Sequence, residues 1–243
     1  MPPSQNQHLG IDPSVAYFTM EIALSDHIPT YSGGLGVLAG DTIRSANNLR
    51  VPLVAVSLLH RGGYFKQTLD DEGNQSDAQI SWKPEDQLKR LPTEVSVKLD
   101  GRTVRVGAWV ATLTDERHGH QTPVVFLDTN LPQNQPEHRT ITERLYGGDD
   151  ELRLRQEAIL GIGGVRMLEA LGCDGLKIFH MNEGHASLLV PELVRSTAQK
   201  LGAKTAAAAV LQEVHEPCEI TTPTPEPAGH ARNPKEKAPA DLD

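Results

Sequence analysis

The chain has 243 residues, of which 38% are hydrophobic, and this is enough to build one large domain or two small ones around a sizeable core. Its 23 basic and 32 acidic residues give a net charge of −9, which disfavours nucleic acid as a partner. Two cysteines and the lack of an apolar run of about 20 residues predict a cytoplasmic protein with neither a disulfide framework nor a membrane span.

The first third of the sequence alternates the patterns of strands and helices. A β-prone run at 15–18 predicts a strand, and helical spacing at 37–49 predicts a helix that follows the loop Ser32-Gly-Gly-Leu-Gly36. The continuous apolar run at 53–59 is too short for a typical helix, and it is typical of a buried strand in a parallel sheet.

The middle of the chain has an antiparallel character. Segments 64–69 and 95–99 have extended patterns, and Asp100-Gly101 is a two-residue hairpin signal that leads into the alternating run 103–109. We therefore expect a small antiparallel insert over about 62–112.

The second half returns to alternating strands and helices. A buried-strand pattern at 124–128 precedes a helical period over 149–171. A further strand at 176–180 leads into a helix at 186–200, which Pro191 would kink or divide. The whole order predicts an α/β fold with a mainly parallel, three-layer sheet.

The composition changes near the end of the sequence. Residues 217–243 contain six prolines and a charged end, which remove backbone donors and apolar contacts together. We therefore expect one domain over 1–216, followed by a disordered tail.

Two glycine clusters differ in their setting. The loop at 33–36 places backbone N–H groups at a helix N-terminus with no side chains in the way, which makes a cradle for an anion or a sugar, although a tight turn is an equal alternative. It lacks the Lys-Ser/Thr ending of a nucleotide P-loop. The second cluster, Gly161-Ile-Gly-Gly164, falls inside a predicted helix, so we interpret it as close helix packing instead of a dinucleotide site.

Polar residues crowd the carboxyl end of the strand at 176–180, where open α/β sheets bind ligands. They are His180, Asn182, Glu183 and His185. The two histidines fall on different elements, so the spacing does not match the helical zinc-protease pair, and we predict no metal. A first-turn acid is the alternative for Glu183, a satisfied core histidine for His180, and a structural role is an equal alternative for His185.

Charged residues open the predicted helix at 149–171, and we interpret most of them as a solvated face. They are Asp149, Asp150, Glu151, Arg153, Arg155 and Glu157.

Ordered motifs over about 15–194 resemble the α-glucan phosphorylases, in particular their short bacterial and archaeal branch. Two of these motifs are Ser32-Gly-Gly-Leu-Gly-Val-Leu-Ala-Gly-Asp41 and His180-Met-Asn-Glu-Gly-His-Ala186. The others lie at 16–21, 51–54, 63–65, 127–132, 145–149, 153–157 and 161–166. Because so many motifs occur in order, coincidence does not explain the match.

The resemblance implies a retaining reaction in which orthophosphate cleaves the non-reducing end of an α-1,4-glucan and yields glucose 1-phosphate. It also implies a glycosyltransferase-B-like N-terminal domain and pyridoxal phosphate as cofactor, whose phosphate group acts as a proton relay. The resemblance further implies that Gly33, Gly34 and Leu35 line the phosphate and sugar site through their backbone N–H groups, and that Gly34 also faces the cofactor. His185 is implied as the catalytic contact to the transferred glucose, with Asn182 as a substrate-binding neighbour.

Two departures limit what the resemblance implies. Family members have Thr-His-Thr-Pro-Val-Pro-Ala-Gly near the end of this region, whereas segment 221–229 has Pro223 in place of the histidine and Glu226 in place of a valine, which disfavours the last strand. The family's second domain, with the cofactor lysine and the phosphate-binding Lys and Arg, has no counterpart here. We therefore expect an N-terminal half that is inactive alone and acts with a separate C-terminal half.

Two other functions remain open. One is a non-catalytic module that binds sugar or phosphate, and the other is a glycosyltransferase that uses a nucleotide-sugar donor. The sequence also leaves the oligomeric state open.

Overall fold

The computed structural model describes residues 9–222 except 65, 79, 81 and 203–207. Its strands are β1 (Val15–Phe18), β2 (Leu53–Leu58), β3 (Lys66–Leu69), β4 (Gln75–Ala78), β5 (Lys89–Leu99), β6 (Arg102–Thr114), β7 (Gln121–Asp128), β8 (Ile178–Asn182) and β9 (Cys218–Thr221). Its α-helices are α1 (Gly34–Asn48), α2 (Pro84–Gln87), α3 (Pro136–Arg139), α4 (Asp150–Ala158), α5 (Gly164–Ala170), α6 (Leu189–Lys200) and α7 (Ala208–His215). A π-helical segment (Ile159–Gly163) joins α4 to α5, and a 3-10 turn (Gly184–Ala186) precedes α6.

A seven-stranded sheet in the order β5-β6-β7-β2-β1-β8-β9 forms the centre of the protein. The strands from β7 to β9 in this order run parallel, and β5 and β6 extend the sheet on one edge as an antiparallel hairpin. The prediction of an α/β fold with a mainly parallel sheet is therefore confirmed.

Helices cover both faces of this sheet, because its buried strands alternate their side chains between two apolar clusters. On one face, Tyr17 of β1 and Phe126 of β7 join the cluster that contains Ile43 of α1. On the other face, Phe18 of β1 joins the cluster that contains Val165 of α5 and other residues of the helical layer. This period of two places the core in two layers between sheet and helices.

The predicted long helix at 149–171 is confirmed, with five residues in π-helical form at its centre. The second glycine cluster lies in and just after that segment, and its close packing is also confirmed. A Cβ added to Gly161 would lie 2.5 Å from the backbone nitrogen of Leu189, and one added to Gly164 would lie 2.6 Å from Cε1 of Phe18.

The antiparallel pairing predicted for 62–112 is confirmed, but its strands do not form one insert separate from the central sheet. Most of its extended residues belong to β5 and β6, which pair with β7 and continue the central sheet. Only β3 and β4 form a separate two-stranded sheet, and all eight of their residues are exposed. The hairpin turn predicted at 100–101 is confirmed. A local sequence pattern does not indicate with which further strand such a hairpin pairs.

Two further expectations about the C-terminal part change. Helix α6 begins at Leu189, so Pro191 lies in its first turn, where a missing N–H costs nothing, and it does not divide the helix. Residues 218–221, expected in the disordered tail, form β9 at the edge of the sheet, parallel to β8. The part of the expected tail at 223–243 lies outside the described residues. Within the described ranges, no helix is both long and apolar enough to cross a membrane.

Candidate functional site

The candidate site lies where neighbouring parallel strands end. β1 and β8 pair in register, with Phe18 opposite Met181, so the segments that follow them leave the same edge of the sheet. The segment after β1 reaches Glu21 and then the glycine loop, and the segment after β8 contains His185. This is the edge at which open α/β sheets bind ligands.

The glycine loop presents bare backbone at the start of α1. Gly33 is the N-cap with an extended conformation (φ −159°), and both Gly33 and Gly34 are exposed. A Cβ added to either residue would meet no atom within 4 Å. Neither residue has a positive φ, so a left-handed tight turn does not explain why glycine stands here.

Glu21 packs directly beneath this loop. Its side chain is only 2% exposed, and Oε2 accepts hydrogen bonds from the backbone N–H groups of Ser32 (2.7 Å) and Gly33 (3.3 Å). A Cβ added to Gly36 would lie 2.9 Å from the same oxygen. Glycine at 36 therefore leaves room for both Glu21 and Tyr31, whose Cβ would lie 2.5 Å from an added Cβ. The resemblance implied that the N–H of Gly33 faces a ligand, but this N–H donates to Glu21, so it is the backbone at Gly34 that remains open.

The glycine loop forms one wall of the site, and Tyr146 and His185 form the opposite wall. Tyr146 links the two. Its hydroxyl donates a 2.8 Å hydrogen bond to Oε1 of Glu21, and its ring centroid lies 6.4 Å from that of His185. Burial, together with the neighbouring Glu21 carboxylate, raises the pKa of the Tyr146 phenol well above its usual range, so the phenol stays a neutral donor. The backbone of Tyr146 has a φ of +53°, which is uncommon for a bulky residue.

His185 is held by an ion pair that comes from α4. His185 is 3% exposed, and its Nδ1 lies 3.3 Å from Oε1 of Glu157 and 3.4 Å from Nη2 of Arg153. Arg153 also lies 3.6 Å from Glu157, one helical turn away, and its guanidinium lies over the Tyr146 ring at 6.0 Å. The ring of His185 is thus fixed between the helix and Tyr146.

This finding corrects part of the interpretation of the charged helix start. Asp149, Asp150 and Glu151 are exposed, and Asp149 caps α4 by accepting from the N–H of Leu152 at 2.9 Å. Glu157, in contrast, is buried and belongs to the site with Arg153. Its spacing of three residues from the buried Leu154 is the sequence signal that could have placed Glu157 on the inner face of the helix.

Asn182 and Glu183 connect β8 to the site in different ways. Asn182 is fully buried and donates to Oγ1 of Thr19 at 3.2 Å, so it ties β8 to the segment after β1 from below. Glu183 is 2% exposed and has φ 67° and ψ 176°, a region that glycine adopts readily and other residues adopt at a cost of about 1–3 kcal/mol. Its backbone N–H donates to the carbonyl of Thr221 at 2.8 Å, which fixes the turn.

His180 faces away from the His185 group. Its Nε2 is 2.8 Å from Oγ1 of Thr221, and its ring centroid lies 5.0 Å from that of Tyr17. Burial lowers the pKa of His180, which keeps the imidazole neutral. These contacts favour the alternative of a satisfied core histidine.

The electrostatic character of the site is set by its buried acids. Glu21, Glu157 and Glu183 are all buried, and Nε of Arg153 lies 3.6 Å from Oε1 of Glu157. Buried carboxylates are retained where hydrogen bonds or cations compensate them. The buried side of the site therefore carries carboxylates, whereas the glycine loop offers backbone N–H groups on its outer side.

Comparison with curated proteins finds phosphorylases. The chain is 41% identical over 234 residues to glycogen phosphorylase from Mycobacterium tuberculosis, and the matched region covers 91% of this chain and 26% of that protein. It is 38% identical over 227 residues to maltodextrin phosphorylase from Thermococcus litoralis, and the matched region covers 90% of this chain and 26% of that protein. Against glycogen phosphorylase from Aquifex aeolicus the identity is 33% over 183 residues, 72% of this chain and 25% of that protein.

No protein-family model matches the chain. The curated relatives nevertheless confirm the resemblance that the motifs predicted. The chain spans about a quarter of the length of the relatives it matches.

Proposed function

We propose that this relative of the α-glucan phosphorylases forms the glucan-facing wall of a retaining phosphorolysis site, on a glycosyltransferase-B-like domain. The substrates would be an α-1,4-glucan and orthophosphate, and the product glucose 1-phosphate. The observation that carries the proposal is the open backbone at Gly34, in the glycine loop that Glu21 and Tyr146 connect to the buried His185.

Each wall has a distinct task in this proposal. The free N–H groups in the first turn of α1 donate to sugar or phosphate oxygens, helped by the positive end of the helix dipole. His185 contacts the transferred glucose, and Glu157 holds its Nδ1 side, so that the ring keeps one orientation. Asn182 supports this wall from beneath, because it is fully buried.

The charge of the site supports a division of labour between this chain and another protein segment. Orthophosphate is bound most strongly by cations, and Arg153 at this site is already paired with Glu157. Lysines in the described residues lie on β3 and β5, at the N-cap of α2, just before β8 and at the end of α6, and none lies on the loops of the site. A separate C-terminal half would bring the missing cations, and the exposed apolar Val37 and Leu38 beside the glycine loop offer it a contact surface.

Pyridoxal phosphate fits this chain only in part. The open backbone at Gly34 suits the phosphate group of the cofactor, which in the family supplies a proton relay. The imine-forming lysine has no counterpart on the loops of the site, so the described residues do not hold the cofactor by themselves.

Isothermal titration calorimetry with maltoheptaose tests the proposal on this chain. The wild-type protein and Ser45→Val, which adds valine to an exposed position of the same helix, should bind alike. Gly34→Val should weaken binding by about tenfold or more, because the side chain covers the backbone donors. Equal affinity of all three folded proteins, or no binding by any of them, overturns the proposal.

A further inference from the structure

One buried carboxylate holds two segments that are far apart in the sequence. Oε2 of Glu21 accepts from the N–H groups of Ser32 and Gly33, and Oε1 accepts from the hydroxyl of Tyr146, which lies 125 residues further along the chain. The two oxygens of a single side chain therefore face the two walls of the candidate site.

The surroundings of Glu21 fix its position. The side chain is buried, and each oxygen has at least one donor within hydrogen-bond distance, so the charge is compensated. Gly36 lies so close that only glycine fits above Oε2, and the start of α1 provides further positive potential. A carboxylate placed in this way has little freedom to move without breaking bonds to both walls.

Tyr146 extends this connection to the surface. The residue is 41% exposed although its hydroxyl is bound inside, and its ring contacts His185 and the guanidinium of Arg153. The exposed ring, its hydroxyl, Glu21 and the amides of the loop therefore form one continuous series of contacts.

We propose that Glu21 is a positioning residue that couples the glycine loop to Tyr146, so that a change at either wall alters the other. Its role in ligand binding rests on the proposed function, whereas the coupling between the walls is a property of the unliganded chain. Glu21 itself touches no ligand in this proposal, because it lies beneath the loop.

The coupling is measured by amide hydrogen exchange of Ser32 and Gly33, followed by NMR on the unliganded protein. Tyr146→Phe removes a hydroxyl that touches neither amide, and it should speed their exchange by about two- to tenfold, the value of one hydrogen bond. Tyr31→Phe removes the same group next to the loop without a bond to Glu21 among the described contacts, and it should leave both rates unchanged. Exchange at Val56, in the core of β2, reports whether global stability has changed.

Substitution of Glu21 separates its position from its charge. Glu21→Gln keeps an acceptor for the loop and offers an N–H donor to the oxygen of Tyr146, so slow exchange at Ser32 and Gly33 should be retained. Glu21→Ala removes both bonds and should give the largest increase in exchange at the two amides. In calorimetry with maltoheptaose, Glu21→Ala should lose affinity and Glu21→Gln should restore it.

Three results would overturn the proposal. Unchanged exchange in folded Tyr146→Phe, an equal effect of Tyr31→Phe, or wild-type affinity for maltoheptaose in Glu21→Ala would each remove the coupling. Failure of the wild-type chain to bind maltoheptaose would contradict the proposed function instead, and the exchange experiment would still decide whether Glu21 joins the two walls.

Discussion

The two glycine clusters of this chain have similar composition and opposite surroundings. At Gly33 and Gly34 an added Cβ would meet open space, whereas at Gly161 it would lie 2.5 Å from backbone and at Gly164 2.6 Å from a buried ring. The first cluster begins a helix and keeps a surface accessible, and the second lies within a helical stretch and lets neighbouring elements approach. The position of a glycine relative to its helix, more than the motif it forms, decides whether it can serve a ligand.

The largest expected effect of substitution is at Gly161. Gly161→Ala should lower the free energy of unfolding by about 3 kcal/mol, because the new methyl group meets the backbone of Leu188 and Leu189, which cannot rotate away. Urea denaturation measures this change. Gly163→Ala is the matched control, since its Cβ would approach Val97 at an ordinary 3.4 Å, and equal midpoints for the two variants would contradict close packing as the reason for this cluster.

A smaller loss is expected at Gly164, where the obstacle is a side chain. Gly164→Ala should cost about 1–2 kcal/mol, because its Cβ would lie 2.6 Å from Cε1 of Phe18 and 3.1 Å from Cγ1 of Val56. Phe18→Leu makes room for the methyl group, so Gly164→Ala should cost less in a Phe18→Leu chain than in the wild-type chain. Strictly additive unfolding energies in this double-mutant cycle would show that the ring is not what excludes the methyl group.

Substitution at Gly34 should separate stability from binding. Gly34→Val is expected to change the free energy of unfolding by less than about 1 kcal/mol, since the position is exposed and its φ is not positive. The same variant is expected to lose maltoheptaose affinity. A destabilisation as large as that of Gly161→Ala would show that both clusters are structural.

The smallest effect is expected at Arg50, an arginine whose backbone adopts the left-handed conformation that glycine favours. Arg50 follows the C-terminus of α1 with a φ of +59°, and it is exposed. Arg50→Gly should stabilise the protein by about 0.5 kcal/mol, because relief of the left-handed conformation exceeds the added entropy of the unfolded chain. Thermal unfolding measures the gain, and Arg50→Ala should show none of it.

The glycine loop and the strand end at 180–186 could be predicted because their signals are local. A loop between a strand and a helix is visible in a few residues, and so is a polar cluster behind an apolar run. The role of the second glycine cluster was predicted for the same reason, since it falls within a helical period.

The residues that complete the site escaped prediction because their contacts are distant in sequence. Glu21 meets Tyr146 across 125 residues, and no local pattern indicates such a pair. Glu157 and Arg153 belong to a run of charged residues, and such a run is typical of a solvated helix face. The helical period nevertheless places Glu157 on the buried side. The antiparallel hairpin was also recognised locally, but its membership of the central sheet depends on pairing with β7.

The most direct test of the proposed function is phosphorolysis with and without a second half. The chain is incubated with maltodextrin, orthophosphate and pyridoxal phosphate, alone and together with the separately expressed remainder of a phosphorylase relative, and glucose 1-phosphate is measured. We expect no glucose 1-phosphate from the 243-residue chain alone and release in the mixture, because acid–base catalysis supplied by the added remainder is worth about 10²–10⁴ in rate. Release by the chain alone, with the near-ultraviolet absorbance of bound pyridoxal phosphate, or glucan binding without release in any mixture, would contradict the account.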